Sequence, residues 1–344
     1  MTNGRTRSRT LKCASIDAAL YSDHLGLTDP PHELTMNAKR STTSRQALGN
    51  AAFLVPNFLG FLAFIFLPVL ASLILAFTDW QMLTTELRFI GLDNFFHLLG
   101  FRQTDSGWAP RDPLFWKYLY NTMYLMLSIP LTMVLSLFLA LAMNRAIRGI
   151  AVFRVMFFTP SICIGVAIFM VWRVMYNADF GLINQLLSWV NIHGPDWLNS
   201  TTWAKPALIL MTLWTQSGGY NMILYLAGLQ NIPPELYEAA KVDGAGRWKQ
   251  LVHITWPMLA PTTFFIFTMS VIYGFQGGFE AAYIMTRGGP AGSTTTLSYY
   301  IYNTAYTGEL RLGYGSAIAW VLFVIVLSVT LFNWRFGGRA VTGQ

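Results

Sequence analysis

Apolar residues in this chain come in long, mostly apolar runs, not in the alternating or helical stripes of half-buried elements. A helix rising 1.5 Å per residue needs about 20 apolar residues to cross about 30 Å of hydrocarbon. Ala52–Phe77, Tyr118–Met143, Phe153–Tyr176, Ala204–Ala227, Ala260–Phe279 and Gly315–Trp334 meet that length. The pattern therefore predicts an all-α polytopic membrane protein with six transmembrane helices. Pro56, Pro68 and Pro130 lie inside these runs and predict kinks, which membrane helices tolerate when neighbours satisfy the freed carbonyls. Trp80, Trp116, Trp172, Trp203 and Trp334 fall near predicted span ends, where amphipathic rings anchor at the interface.

Ahead of the first run, residues 1–48 are rich in Ser, Thr, Arg and Asn, with no sustained apolar stretch. They read as a disordered tail with a short helix near Ser15–Tyr21. No secretory h-region follows the basic start. Residues 49–338 form the membrane domain, and 339–344 a short polar end.

Composition agrees with the pattern. The 344 residues are 54% hydrophobic and 11% charged, against about 25% charged in soluble domains. A soluble fold would have to hide more apolar surface than one core covers; a bilayer removes that need. The net charge of +7 could suit nucleic acid, but its distribution follows the positive-inside rule instead. Arg145 and Arg148 sit in the short connection between the second and third runs, the kind of loop that decides orientation. That places segments 1–51, 144–152, 228–259 and 335–344 and both termini in the cytoplasm. Segments 78–117, 177–203 and 280–314 lie outside. Cys13 and Cys163 are too far apart in sequence to form a disulfide framework, and neither keeps metal-ligand spacing with a histidine.

The chemistry of interest lies in the cytoplasmic connection between spans four and five, residues 232–257. Pro233 and Pro234 suit a helix start, and Glu235 and Glu238 favour its positive end. Gly244 can take the left-handed conformation that stops a helix. A second helix over Ala245–Ile254 then breaks at Pro257, where the fifth span begins. From these residues alone two readings stand side by side: a rigid unit that docks on a moving partner, or an amphipathic loop resting on lipid headgroups.

The same stretch resembles the conserved cytoplasmic loop of binding-protein-dependent ABC importer permeases. Here Glu238-Ala239-Ala240, Gly244, Ile254 and Pro257 keep the spacing of that loop, and Trp256 stands where the family usually has leucine. The resemblance implies a coupling helix that docks on a separate ATPase, with Glu238, Ala239, Ala240, Asp243 and Gly244 in that role. It also implies a second permease subunit, an ATP-binding subunit dimer, an extracytoplasmic solute-binding protein and residence in the inner membrane of a prokaryote. Further stretches are similar to the carbohydrate-uptake branch, of the maltose and glycerol-3-phosphate type, and to the first permease of each pair. They are Phe89–Phe95, Gly181–Asn184, and Thr286-Arg287-Gly288-Gly289-Pro290 followed by Thr294–Leu297 and Tyr300–Tyr302.

Polar groups inside spans are costly and usually face the protein interior or a pathway. Gln216, Ser217, Tyr220 and Asn221 form the densest such cluster. Gln216, Ser217 and Tyr220 would share one helical face. Tyr273, Gln276 and Glu280 add a second group at the fifth span, and by resemblance these two spans line a substrate path. An aromatic ring beside amides and hydroxyls suits a sugar, while helix–helix packing by small and hydroxyl residues is the plainer reading.

No G-x-x-x-x-G-K-[ST] loop occurs in the sequence, so ATP would be bound, with magnesium, by another polypeptide. His24, His32, His97, His193 and His253 are scattered and predict neither a metal site nor a triad. No catalytic function and no cofactor of its own are expected. The expected function is a permease moving a sugar or related polyol inward by alternating access. The alternatives are an ion-gradient-driven secondary transporter, or the same importer class with glycerol-phosphate-type cargo. No predicted span carries a mid-membrane charge of the kind ion-coupled carriers use. The identity of the solute is not written in the sequence.

Overall fold

The computed structural model describes residues 54–105, 107–145, 148–163 and 165–342. The tail expected over 1–48, the first two residues of the first predicted span and the last two of the chain lie outside these. Contacts divide the chain into one unit up to Val69 and a second from Leu70 onward.

Helix α1, Leu54–Ala76, is long and apolar enough to cross a bilayer, as are Pro113–Met143 and Leu312–Arg335. Two further crossings are bent pairs. One joins α5 (Ile150–Ile162) to α6 (Gly165–Met175), and the other α11 (Arg247–Met258) to α12 (Ala260–Gln276) with a 62° bend. The fourth predicted span is two helices, α8 (Ala204–Ser217) and α9 (Tyr220–Gln230). At 14 and 11 residues, neither reaches about 30 Å alone.

Proline placement explains the irregularities better than simple kinking. The expectation for Pro130 is resolved as a joint: Pro113–Met143 divides into α3 (Pro113–Leu125) and α4 (Ser128–Met143), with Pro130 in the first turn of α4, where its missing N–H costs nothing. In α1 and α11 a wide π-helical turn ends two residues before a proline: Leu62–Phe66 before Pro68, and Leu251–Thr255 before Pro257. Each turn contains the carbonyl that the proline cannot bond and would otherwise strike. The expected break at Pro257 is thereby corrected. α11 runs through it, and the bend falls at Leu259, because Pro261 opens α12.

The all-α expectation also needs one amendment. Between α2 (Asp93–Leu99) and α3, β1 (Phe101–Thr104) pairs antiparallel with β2 (Gly107–Pro110). This polar stretch lies outside the spans, where backbone groups need not be satisfied within a helix. The remaining elements are α7 (Leu182–Trp189), α10 (Pro234–Val242), α13 (Phe279–Ala281), α14 (Leu297–Tyr302) and α15 (Leu312–Thr342). α13 and α14 run into wide turns over Ala282–Thr286 and Asn303–Thr307. α15 extends through the 339–342 part of the expected polar end.

In the second unit α4 packs along α8 and α9, α12 along α15, and α4 and α9 both meet α12. The main core is built from Phe115, Ile129, Met222, Tyr225, Leu259, Ile266, Phe275, Tyr314 and Ile318. A smaller cluster of Trp172, Tyr176, Leu208, Met211 and Met285 ties α6 to α8 and to the outer wide turn. Tyr176 Oη donates to the Ala207 carbonyl at 2.8 Å. Opposite these cores, Val134, Phe138, Val152, Phe323 and Phe332 are more than half exposed, as lipid-facing positions are.

Candidate functional site

Three interrupted helices converge on one cavity of about 1010 Å³. The end of α5 and the start of α6 contribute Pro160, Ser161, Cys163 and Gly165. The joint between α8 and α9 contributes Gln216, Tyr220 and Asn221, and the end of α12 with the loop after it Tyr273, Gln276, Gly277, Gly278 and Glu280. α4 closes another side with Ser128 and Thr132. Backbone that leaves its helix at membrane depth is tolerated where it is buried in protein or lines a water-filled cavity. Interruptions that meet in one place offer N–H and C=O groups to whatever enters it.

The α8–α9 break follows from close packing. At Gly218 a Cβ would strike the Phe157 carbonyl oxygen, and at Gly219 it would lie 2.9 Å from the Ser161 Cβ. Only glycine lets this joint press so closely on α5. The helical face expected to hold Gln216, Ser217 and Tyr220 is therefore not formed. α8 ends at Ser217, Gly219 is non-helical, and Tyr220 opens a new helix. Gln216, Tyr220 and Asn221 line the cavity; Ser217 does not. Ser217 is buried, and its carbonyl accepts from Ser136 Oγ of α4 at 2.7 Å. Tyr220 is 69% exposed and meets Phe158 edge-on, with ring centroids 5.9 Å apart.

At the other end of the same helices, α10 is followed by a complete Schellman stop. Gly244 has φ of 75°, Ala245 N donates to the Ala240 carbonyl at 2.8 Å and Gly244 N to that of Lys241 at 3.1 Å. Glu238, Ala239, Asp243 and Gly244 are exposed and Ala240 half-buried. Apolar groups beside them are left uncovered, with Val242 at 88% and Trp248 at 75% exposure. Tyr237 turns inward, sharing a 2.9 Å hydrogen bond with Thr255 Oγ1 of α11 and packing on the main core. The unit is thus an exposed face on a base fixed to the body.

The Thr286–Pro290 and Thr294–Leu297 stretches form a buried knot. Thr286 Oγ1 and Thr294 Oγ1 lie 2.6 Å apart, and Thr295 Oγ1 donates to the Gly288 carbonyl at 3.1 Å. Asn121 Nδ2 of α3 donates to the Gly292 and Thr295 carbonyls at 2.9 and 3.0 Å. Leu297 N donates to Thr122 Oγ1 at 3.0 Å. Ser298 Oγ donates to the Phe275 and Gln276 carbonyls at the end of α12, at 3.0 and 2.9 Å. The knot therefore positions the end of α12 beside the cavity. Asn121→Ala should leave two buried carbonyls unpaired and cost about 1–3 kcal/mol, read as a lower thermal unfolding midpoint than wild type.

Sequence reasoning passed over Asp112, which is 5% exposed. Its Oδ2 accepts from Tyr300 Oη at 2.9 Å and from Tyr314 Oη at 2.5 Å. The signal was present: an aspartate directly before Pro113 is a cap-and-first-turn signature. Among the described residues no three His, Cys, Asp or Glu side chains come together as metal ligands.

Residues 106–336 match the family described as binding-protein-dependent transport system inner membrane component. The chain is 38% identical over 302 residues to the probable ABC transporter permease protein YesP of Bacillus subtilis, covering 86% of this chain and 93% of that protein. It is 35% identical over 307 residues to the lactose transport system permease protein LacF of Rhizobium radiobacter, covering 85% of this chain and 97% of that protein. Its fold is similar to a chain of a bacterial ABC transporter involved in the import of the acidic polysaccharide alginate. That match has a TM-score of 0.74 at 24% identity and covers 88% of this chain and 99% of that one.

Proposed function

This chain belongs to the binding-protein-dependent transport system inner membrane component family, and on that premise we propose that it is the sugar-conducting permease subunit of an ATP-driven importer. The observation that carries the proposal is a mechanical continuity. α9 opens with the cavity residues Tyr220 and Asn221 and leads directly into α10. α11 leads into α12, which ends with the cavity residues Tyr273 and Gln276. The exposed helix–glycine–helix unit therefore sits between two rods about 16 and 25 Å long. A partner that moves α10 moves the cavity wall.

In this reading α8 and α9 together make the sixth crossing, and Arg145 and Arg148 keep both termini in the cytoplasm. The unit around Glu238, Ala239, Ala240, Asp243 and Gly244 couples to a separate ATP-binding dimer. The sequence has no phosphate-binding loop of its own to drive the motion. A second permease supplies the opposite wall, and an extracytoplasmic binding protein delivers sugar to the outer loops. Gln216, Asn221 and Gln276 offer amides to hydroxyl groups, while Tyr220 and Tyr273 offer ring faces to the C–H side of a pyranose.

The test is reconstitution in proteoliposomes with the subunits encoded beside it. Labelled sugar should accumulate only when ATP is inside and binding protein outside. Accumulation by this chain alone, driven by a proton or sodium gradient without ATP, would replace the proposal with a secondary transporter.

A further inference from the structure

We infer that the cavity selects uncharged saccharides and rejects those bearing carboxylate, sulfonate or phosphate groups, with Glu280 as the residue that enforces the choice; this rests on the sugar-permease reading above. Among the described residues that line the cavity, Glu280 is the sole charged side chain, and no lysine, arginine or histidine joins it. The nearby cations are held elsewhere. Arg173 is not among the residues lining the cavity and donates to the Ile284 carbonyl at 3.3 Å. Lys205 sits over the rings of Tyr120 and Tyr124, 4.8 and 5.1 Å from their centroids.

A Cβ built on Gly165 would lie 3.1 Å from Glu280 Oε2, so the carboxylate rests against the first residue of α6. The positive end of that helix favours a carboxylate there. Along this subunit's wall an acidic cargo therefore meets one carboxylate and, among the described lining residues, no lysine, arginine or histidine. The amides of Gln216, Asn221 and Gln276 and the N–H groups opening α9 then serve neutral hydroxyl oxygens.

Coulomb's law sets the size of the effect. A cargo anion about 6 Å from Glu280, at an effective dielectric of about 20, binds roughly 100-fold more weakly than its neutral counterpart. Water at the exposed carboxylate reduces this to about tenfold. The cavity thus argues against glycerol-phosphate-type cargo.

The experiment measures saccharide binding to the assembled importer in nanodiscs without binding protein, so that the delivery step does not select. The probes are galactotriose, mannotriose and maltotriose beside trigalacturonate and trimannuronate. At least one neutral probe should bind about tenfold more tightly than either uronate. Glu280→Gln should shrink that ratio several-fold, and raising the salt from 0.05 to 0.5 M should shrink it in the wild type. Uronates binding the wild type as tightly as neutral probes, or a ratio indifferent to both Glu280→Gln and salt, overturns the selectivity proposal while leaving the sugar-permease reading intact. No binding by any probe at millimolar concentration, in wild type and variant alike, overturns the selectivity proposal, while the sugar-permease reading stands or falls on the accumulation experiment above.

Discussion

Asp112→Ala should lower the stability of the folded permease by about 3–5 kcal/mol, because four donors lose a charged acceptor in a buried site. The carboxylate is 5% exposed and all of its bonds come from other elements or from the helix it caps. Oδ1 accepts from Leu114 N and Phe115 N at 2.9 and 3.1 Å, satisfying two of the free donors that open α3. Oδ2 gathers Tyr300 of α14 and Tyr314 of α15, and Tyr314 Oη lies 3.2 Å from His97 Nδ1 of α2. One side chain therefore ties four helices. Burial, reinforced by the Asp112 charge, pushes the Tyr300 hydroxyl well above its ordinary range, so it stays a donor at every workable pH.

Alanine would leave two hydroxyls and two N–H groups without an acceptor. The thermal unfolding midpoint in nanodiscs should drop by about 10 °C, at roughly 2–4 °C per kcal/mol. Adding Tyr300→Phe and Tyr314→Phe to Asp112→Ala should restore part of the loss, because the stranded donors go with the hydroxyls. A midpoint for Asp112→Ala within experimental error of wild type would show that water fills the gap and that the network holds nothing together.

Asp112 illustrates what the sequence held and what it withheld. The apolar runs could be read directly, because a span of about 20 residues is dictated by bilayer thickness and tolerates few alternatives. Gly244 as a helix stop was equally local, since one backbone conformation decides it. The α8–α9 break was not local. Gly218 and Gly219 fit helix packing in a membrane as readily as they fit an interruption, and what decides between these is the approach of Phe157 and Ser161 from α5. Reading through that break put Ser217 on the same face as Gln216 and Tyr220, whereas its carbonyl bonds α4. Gln216, Tyr220, Asn221, Tyr273, Gln276 and Glu280 do share one cavity, because polar groups at membrane depth gather where water can reach. The threonines of the outer loop showed their spacing in sequence but not their purpose. Burying Thr294 and Thr296 needs α3 and α12 in place around them.

The second large effect belongs to α10 and its glycine stop. Glu238→Lys should reduce ATP-dependent uptake about 100-fold while leaving insertion and the unfolding midpoint near wild type. Glu238 is exposed, and neither of the ion pairs among the described residues involves it. The substitution therefore disturbs nothing inside the subunit. Against the ATP-binding partner proposed above it reverses the charge, and like-charge juxtaposition at an interface costs several kcal/mol. At 1.4 kcal/mol per factor of ten, about 3 kcal/mol accounts for the 100-fold loss.

Gly244→Val separates charge from geometry. At φ of 75° a β-branched side chain is strained although nothing lies within 4 Å of the new Cβ. It should unwind the stop after α10 and uncouple ATP hydrolysis from transport. Tyr237 should still hold the base of the unit to Thr255, so the cavity end remains folded. Co-purification of the ATP-binding subunit should be weakened in both variants, and saccharide binding to the cavity should be unchanged in both. Full uptake by Glu238→Lys would remove α10 from the coupling path. Uptake lost together with cavity binding would place the defect in the spans instead of in the docking surface.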